Sequence, residues 1–199
     1  MRFTSFVAAT VASLAVFSST LFADTNWSSL PKKKQTALGL YLSPQQAYQV
    51  MQKNAKTTLF LDIRSRAEVN FLGTPTIADA NVPYMELSEW FAWNAKSHGF
   101  KMEVNSDFAD SVASRLSEKG LNKNSRIILM CRSGDRSAKA VDLLAKLGYT
   151  QVYSVTEGFE GDKAKEGNNK GKRVVNGWKN AGLPWSYQLA KPKMYKVGG

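Results

Sequence analysis

Thiol and imidazole side chains are almost absent from this 199-residue sequence, which contains one cysteine, Cys131, and one histidine, His98. A single cysteine cannot form a disulfide within the chain, and it excludes a zinc or iron–sulfur site built from several thiolates of one chain. His98 lies in the polar stretch AKSHGF, which is typical of a surface loop rather than of a catalytic base or a metal ligand. We therefore predict no metal and no cofactor.

Acidic residues are also few, because 27 lysines and arginines face 16 aspartates and glutamates and the formal net charge is +11. Such an excess suits an anionic partner, a membrane surface or nucleic acid. The basic residues are spread along the chain, with one dense run at residues 32–34, so we interpret most of them as a solvated surface. The sequence has no interleaved aromatic and basic motif typical of RNA binding, and we expect no nucleic-acid partner.

No apolar run of the sequence is long enough to span a bilayer, and a shorter apolar run lies near the N-terminus. Arg2 precedes the apolar segment 6–17, and SSTLFA then ends at Ala23. This layout predicts a secretory signal peptide over residues 1–23, with cleavage after Ala23 as the simplest site, because the segment is too short for a good membrane span. An uncleaved amphipathic anchor is the alternative. We expect a periplasmic or secreted protein with no stable membrane insertion after cleavage.

Strand and helix patterns alternate along the rest of the chain. Buried-strand runs occur at residues 57–63, 126–131 and 151–155, and helical patterns at residues 42–55, 106–120 and 136–148. Ser43 and Pro44 suit the cap and first position of the first helix. Because strands alternate with helices, we predict an α/β sandwich with a mostly parallel central sheet.

The segments around this pattern define the expected domain organisation. We predict a polar linker at residues 24–39, one domain at residues 40–190 and a basic C-terminal tail at residues 191–199. Residues 161–177 are rich in Gly, Asn and Lys and indicate a mobile surface insertion, with a substrate lid as the alternative. Trp90, Phe91 and Trp93 are predicted to lie in the core or in a pocket wall, although a protein-docking face is also open.

Cys131 ends the apolar run RIILMC and precedes RSGDRS, which leads into a helix. Ligands of open α/β sheets bind at the carboxyl ends of strands, and N–H groups at a helix N-terminus favour an anion there. The helix end, Arg132 and Arg136 should therefore favour the thiolate. Gly134 permits a tight turn, and Ser133 and Ser137 add hydroxyl donors. An unpaired cysteine in an exported chain indicates a reactive thiol or an intermolecular bond, and a buried structural cysteine is the alternative.

These residues resemble a known family, the rhodanese-like sulfurtransferases. CRSGDRS is similar to the family's active-site loop, in which four residues separate the cysteine from Arg-Ser. LFLDIRSRAEV, GYTQVYSVTEGFEG and GWKNAGLPW resemble further family segments in the same order, so that the likeness covers about residues 40–188. The resemblance implies a three-layer α/β sandwich with helices on both sides of the sheet.

The resemblance also implies the chemistry and the site. Cys131 would be the nucleophile that takes up a sulfane sulfur as a persulfide, and Arg132 and Arg136 would attract small anionic donors such as thiosulfate or polysulfide. Asp62 and Arg64 would brace the loop or form a structural ion pair. The implied substrate-binding residues, whose N–H groups would cradle the outer sulfur, are Arg132, Ser133, Gly134, Asp135, Arg136 and Ser137. A periplasmic protein is a further possible acceptor.

The sequence departs from the family pattern at two places, and two alternative functions stay open. FLGTPTIADANVP replaces the usual Gly-His-Ile-Pro-Gly-Ala segment, and Glu68 stands where the two-domain thiosulfate enzymes carry a basic residue, which counts against thiosulfate as the physiological donor. The protein could instead be a persulfide carrier or binding module without turnover. A phosphatase or arsenate reductase of this fold is less expected, because such loops place five residues between cysteine and arginine, whereas Cys131 and Arg136 are separated by four.

Overall fold

The computed structural model describes residues 27–198, so the predicted signal peptide at residues 1–23 lies outside the described residues. Within that range the chain forms four α-helices, which are α1 Pro44–Asn54, α2 Arg66–Leu72, α3 Phe108–Glu118 and α4 Asp135–Lys146. Short 3-10 turns join several of the elements. Over residues 27–198, we find no helix whose length and apolar character would carry it across a bilayer.

In chain order the strands of the described residues are β1 Tyr41–Leu42, β2 Thr58–Asp62, β3 Thr74–Pro75, β4 Ala80–Asn81, β5 Met85–Leu87, β6 Trp93–Asn94, β7 Gly99–Phe100, β8 Met102–Val104, β9 Arg126–Met130, β10 Val152–Val155 and β11 Trp185–Ser186. Five of them form the central sheet, whose order is β1–β10–β9–β2–β4 and whose pairings are all parallel. The short remaining strands form three two-stranded antiparallel sheets.

The central sheet separates two hydrophobic clusters, because successive side chains of a strand point to opposite faces. Leu59 and Leu61 of β2 join the apolar faces of α3 and α4 on one side. Phe60 between them joins α1 and the fully buried Trp178 on the other side. The result is the predicted α/β sandwich with helices on both faces of a parallel sheet.

The predicted helices and strands are confirmed within a few residues at each end. Helix α1 begins as expected, because the Ser43 hydroxyl accepts a 3.2 Å hydrogen bond from the Gln46 N–H. Helix α2 was not predicted. Its start carries the same signal, in which Ser65 and Glu68 form a reciprocal capping box, and this Ser-x-x-Glu pattern was available in the sequence.

The segment predicted to be a polar linker packs against the domain from Trp27 onward. Lys34 is only 4% exposed and binds both carboxylate oxygens of Asp162 at 2.9 Å. The Ala37 N–H donates to Asp142 of α4 at 2.8 Å. Residues 27–39 are therefore not a loose arm, because charged side chains that look solvated in the sequence pair with the domain.

The other two flanking segments also contact the domain. At the base of the 161–177 insertion, the Gly177 N–H donates to the Glu157 carboxylate, which lies outside the insertion, at 3.0 Å. In the basic tail, Lys193 donates to the Ala78 carbonyl at 2.7 Å, and Tyr195 is buried. Both segments are therefore tied to the domain by specific hydrogen bonds.

The prediction that the aromatic stretch lies in the core or a pocket wall is wrong. Trp90 is 89% exposed, and Phe91, Trp93 and Phe100 are more than half exposed. Trp90 and Phe91 precede β6, and Phe100 of the β6–β7 hairpin packs edge-on against Phe91 and Trp93. The other alternative for this stretch, a protein-docking face, stays a prediction.

Candidate active site

The loop that carries Cys131 lies at the carboxyl end of the central sheet. Strand β9 ends at Met130, Cys131 follows, and α4 begins at Asp135. Gly134 makes the turn with φ of +97°, and a Cβ at this position would lie 2.1 Å from the Thr156 carbonyl oxygen. Only glycine satisfies both conditions, so Gly134 makes the tight turn that was predicted.

The Cys131 thiol sits inside this turn. Cys131 is 1% exposed, and its Sγ accepts a 3.2 Å hydrogen bond from the Gly134 N–H. The Ser137 hydroxyl lies 3.4 Å from Sγ and donates to the Gly134 carbonyl at 3.0 Å. Gly134 and Ser137, two of the predicted site residues, thus contact the sulfur atom. A cradle for an outer sulfur made from the other N–H groups of the loop stays a prediction.

A second turn holds the Cys131 loop from behind. The Phe159 N–H donates to the Cys131 carbonyl at 2.8 Å, and the Glu160 N–H donates to the Arg132 carbonyl at 3.0 Å. A Cβ on Gly158 would lie 2.5 Å from the backbone of Arg132 and Ser133. The backbone of EGFEG therefore sets the position of the cysteine loop.

Asp62 and Arg64 form a fully buried ion pair at the end of β2. Arg64 donates to Asp62 through Nε at 2.9 Å and Nη2 at 2.5 Å, and Nη2 also donates to the Gly73 carbonyl at 2.7 Å. The Arg64 guanidinium lies 3.8 Å from the centre of the Phe159 ring. Because the backbone N–H of Phe159 bonds the Cys131 carbonyl, the ion pair is linked to the loop through this residue, and its role as a brace stays a prediction.

Arg136, which was expected to meet the donor, is bound to Glu68 of α2. Its Nη1 and Nη2 donate to the two Glu68 oxygens at 2.6 Å each, and both side chains are mostly buried. Burial alone would raise the pKa of the Glu68 carboxyl. The hydrogen bonds and charge of Arg136, together with the Ser65 N–H and the charge of Arg64, outweigh burial and lower this pKa to about 2. Burial opposes the charge on Arg136, yet its pKa is raised by Glu68, Cys131 and Asp62. Both groups therefore stay charged at neutral pH.

The other two charged side chains of the loop are also paired. Arg132 donates to Glu160 at 2.5 Å, and Asp135 accepts from Lys33 at 2.8 Å. The arginines do flank the cysteine loop, as predicted, but each carries a carboxylate partner. These pairings could not be predicted from local patterns, because the partners lie 28, 68 and 102 residues away along the chain.

Ser133 and Asp135 line a cleft of about 1020 Å³ beside the loop. Its other walls come from the N-terminal segment and from the 161–177 insertion, including Lys163 and Arg173. The insertion thus lies next to the cysteine loop, at the edge of the site. This position is compatible with both predicted alternatives, a surface insertion and a substrate lid.

The fold and the site together define an α/β protein with a cysteine loop, in which a thiol after a strand end faces the start of a helix. The family model of the rhodanese-like domain matches residues 43–165. The chain belongs to the rhodanese-like domain family and has the α/β fold of that family. The structural unit continues beyond the match, because Trp178 lies in the core.

The chain is also similar to curated relatives and to solved structures. The uncharacterized protein RP600 of Rickettsia prowazekii is 30% identical over 141 residues, which cover 71% of this chain and 92% of the relative. The crystal structure of Rv0390 from M. tuberculosis is 26% identical with a TM-score of 0.53, over 74% of this chain and 96% of that one. The polysulfide-sulfur transferase homodimer of Wolinella succinogenes is 19% identical with a TM-score of 0.43, over 74% and 77%.

Proposed function

We propose that this protein is an exported sulfurtransferase that moves a sulfane sulfur from a small anionic donor to a nucleophilic acceptor through a persulfide on Cys131. The observation that carries the proposal is the Cys131 Sγ at the end of β9, which accepts the Gly134 N–H at the start of α4 in a chain of the rhodanese-like family. N–H donors at a helix start favour an anionic sulfur, which is the reactive form of a thiol.

The reaction proceeds in two displacements. The Cys131 thiolate attacks the outer sulfur of the donor, a new S–S bond forms, and the donor's own bond to that sulfur breaks with its electron pair on the leaving group, which is sulfite when thiosulfate is the donor. An acceptor such as cyanide then attacks the outer sulfur and leaves as thiocyanate, which returns the thiolate. No general base is needed if the thiol is already ionised, and no second cysteine is present to convert the persulfide into a disulfide.

Export belongs to the same proposal and rests on the sequence layout of residues 1–23. A periplasmic or secreted location would supply small sulfane donors and a protein acceptor outside the cytoplasm. Cell fractionation with N-terminal sequencing of the mature chain tests this part. We expect a first residue of Asp24, and a full-length chain in the cytoplasm would contradict it.

Turnover separates the sulfurtransferase from its main alternative. Thiocyanate formation should be measured with cyanide and either thiosulfate or a persulfide as donor, for the wild type and for Cys131→Ser. We expect multiple turnovers in the wild type and none in the variant. A persulfide that forms on the wild type but does not turn over would favour the carrier, and hydrolysis of aryl phosphates would favour the phosphatase.

A further inference from the structure

Five apolar side chains are more than half exposed on one hairpin, residues 88–104, which we call the aromatic hairpin. They are Trp90, Phe91, Trp93, Phe100 and Val104. The Ser88 N–H donates to the Lys101 carbonyl at 3.0 Å, and β6 pairs with β7 between them, so these side chains belong to one continuous hairpin. Exposed apolar clusters of this kind mark interaction surfaces, and residues 27–198 leave this one uncovered.

The two indoles of the hairpin keep a polar group available as well as an apolar face. The buried Trp178 donates its indole N–H to the Pro184 carbonyl at 2.9 Å. The indole N–H groups of Trp90 and Trp93 have no acceptor among residues 27–198. Indole rings with an apolar body and a polar N–H are enriched where a bilayer meets water, because carbonyl and phosphate oxygens of the lipids accept that N–H.

The base of the aromatic hairpin touches the basic C-terminal tail. Asn105 directly follows β8, and its N–H donates to the Tyr84 carbonyl at 3.0 Å, while its side-chain oxygen accepts from the Tyr195 hydroxyl at 3.2 Å. The Tyr84 N–H in turn donates to the Ile63 carbonyl at 3.0 Å, just beyond β2. Hairpin and tail therefore meet at the carboxyl end of the central sheet, which is also the end that carries Cys131.

The tail supplies a positive charge that the hairpin lacks. On the hairpin itself two lysines face two glutamates, which are Lys96, Lys101, Glu89 and Glu103. Residues 191–199 contain three lysines and no acidic residue, and only Lys196 pairs with a carboxylate, that of Asp107. Lys191 is exposed and has no carboxylate partner among residues 27–198. Exposed aromatic rings thus lie next to uncompensated cations, in a chain whose net charge is +11.

We propose that the aromatic hairpin and the basic tail bind the surface of a bilayer that contains anionic lipids. The aromatic rings enter the headgroup layer, and the lysines of the tail lie against lipid phosphates, as in proteins that combine apolar side chains with basic residues at a membrane surface. This is binding at a surface, without a spanning segment. It goes beyond the proposed function, does not depend on sulfur transfer, and turns the Cys131 end of the sheet towards the membrane.

The test compares vesicles of two compositions. Co-sedimentation with phosphatidylcholine alone, and with equal parts of phosphatidylcholine and phosphatidylglycerol, gives a partition coefficient at constant ionic strength. We expect the wild type to prefer the anionic vesicles. Their binding should fall at least about tenfold when Trp90→Ala and Trp93→Ala are combined, and about fivefold in Lys191→Gln. Leu147→Ala and Lys56→Gln change exposed residues at the amino end of the sheet and should bind like the wild type.

Quenching of tryptophan fluorescence by lipids brominated in their acyl chains is a second readout. The first tryptophan of the chain is Trp27, so residues 1–23 give no signal. Thermal unfolding of the combined Trp90 and Trp93 variant should match the wild type, because both side chains are exposed. Quenching in the wild type that this variant loses supports the inference. A wild type that binds neither vesicle, binds without quenching, or binds equally well without the two indoles would overturn it, and the first of these results would leave the hairpin to a protein partner.

Discussion

The two carboxylate oxygens of Glu68 each accept a 2.6 Å hydrogen bond from Arg136, the arginine that closes the Cys131 loop. This pair joins α2 to α4 across the carboxyl end of the sheet. Because a bidentate pair of this kind fixes both direction and distance, it holds the loop as well as setting its charge. The stability of this end of the sheet should therefore depend on the Glu68 carboxylate.

The first prediction concerns acid stability. The pKa of Glu68 is about 2 in the folded protein against its ordinary 4.5, so the folded state favours the charged form. This contribution to the free energy of unfolding is complete above about pH 4.5 and is lost as the pH falls towards about 2. The free energy of unfolding, measured by urea denaturation across that pH window, should fall less steeply with falling pH for Glu68→Gln than for the wild type. Equal slopes would show that Glu68 does not contribute.

The second prediction tests the turn behind the cysteine loop. Gly158 has φ of +65°, and a Cβ there would lie 2.5 Å from backbone atoms of the loop. Gly158→Ala should cost about 2–4 kcal/mol of unfolding free energy and most of the sulfur-transfer activity, because backbone cannot move aside cheaply. Thermal unfolding and thiocyanate formation measure the two effects.

Gly120 provides the control for that variant. Its φ of +68° is nearly the same, but a Cβ there would meet nothing within 4 Å. Gly120→Ala should cost about 1 kcal/mol for the left-handed conformation and leave activity intact. Similar losses in both variants would mean that conformation alone, and not the contact with Arg132 and Ser133, sets the effect.

The third prediction concerns the N-terminal segment. Lys34 is 4% exposed and bonds Asp162 at 2.9 Å, and its side chain lies against Gly134. Lys34→Ala should reduce the free energy of unfolding by about 2 kcal/mol, because it removes packing and takes the charged partner away from Asp162. Lys32→Ala, at an exposed neighbour, should stay within about 0.5 kcal/mol of the wild type in urea unfolding. A neutral Lys34→Ala would mean that this segment is not part of the folded unit.

Much of the fold could be predicted from periodicity alone. The runs at residues 57–63 and 126–131 are apolar on both faces, as parallel central strands are, and they became β2 and β9. Helix α2 was missed because only seven residues form it and its capping box is its main local signal. The exposure of Trp90 could not be inferred, because no local pattern distinguishes a buried aromatic cluster from an exposed one.

The candidate site was predictable only in part. A strand end, a glycine turn and a helix start are local features, so the position of Cys131 and the conformation of Gly134 followed from the sequence. Glu68, Glu160 and Lys33 reach the loop through tertiary contacts, and no local pattern marks such partners. Arg132 and Arg136 were consequently expected to offer free charge, and the structure instead pairs both.

The most direct measurement of the central claim is the intact mass of the protein after incubation with cysteine persulfide or thiosulfate, followed by peptide mapping. The account predicts that the wild type gains the mass of one sulfur atom on Cys131, that cyanide removes it, and that Cys131→Ser gains nothing. A wild type that takes up no sulfur from either donor, or a variant that takes up as much as its parent, would contradict the proposed transfer through Cys131.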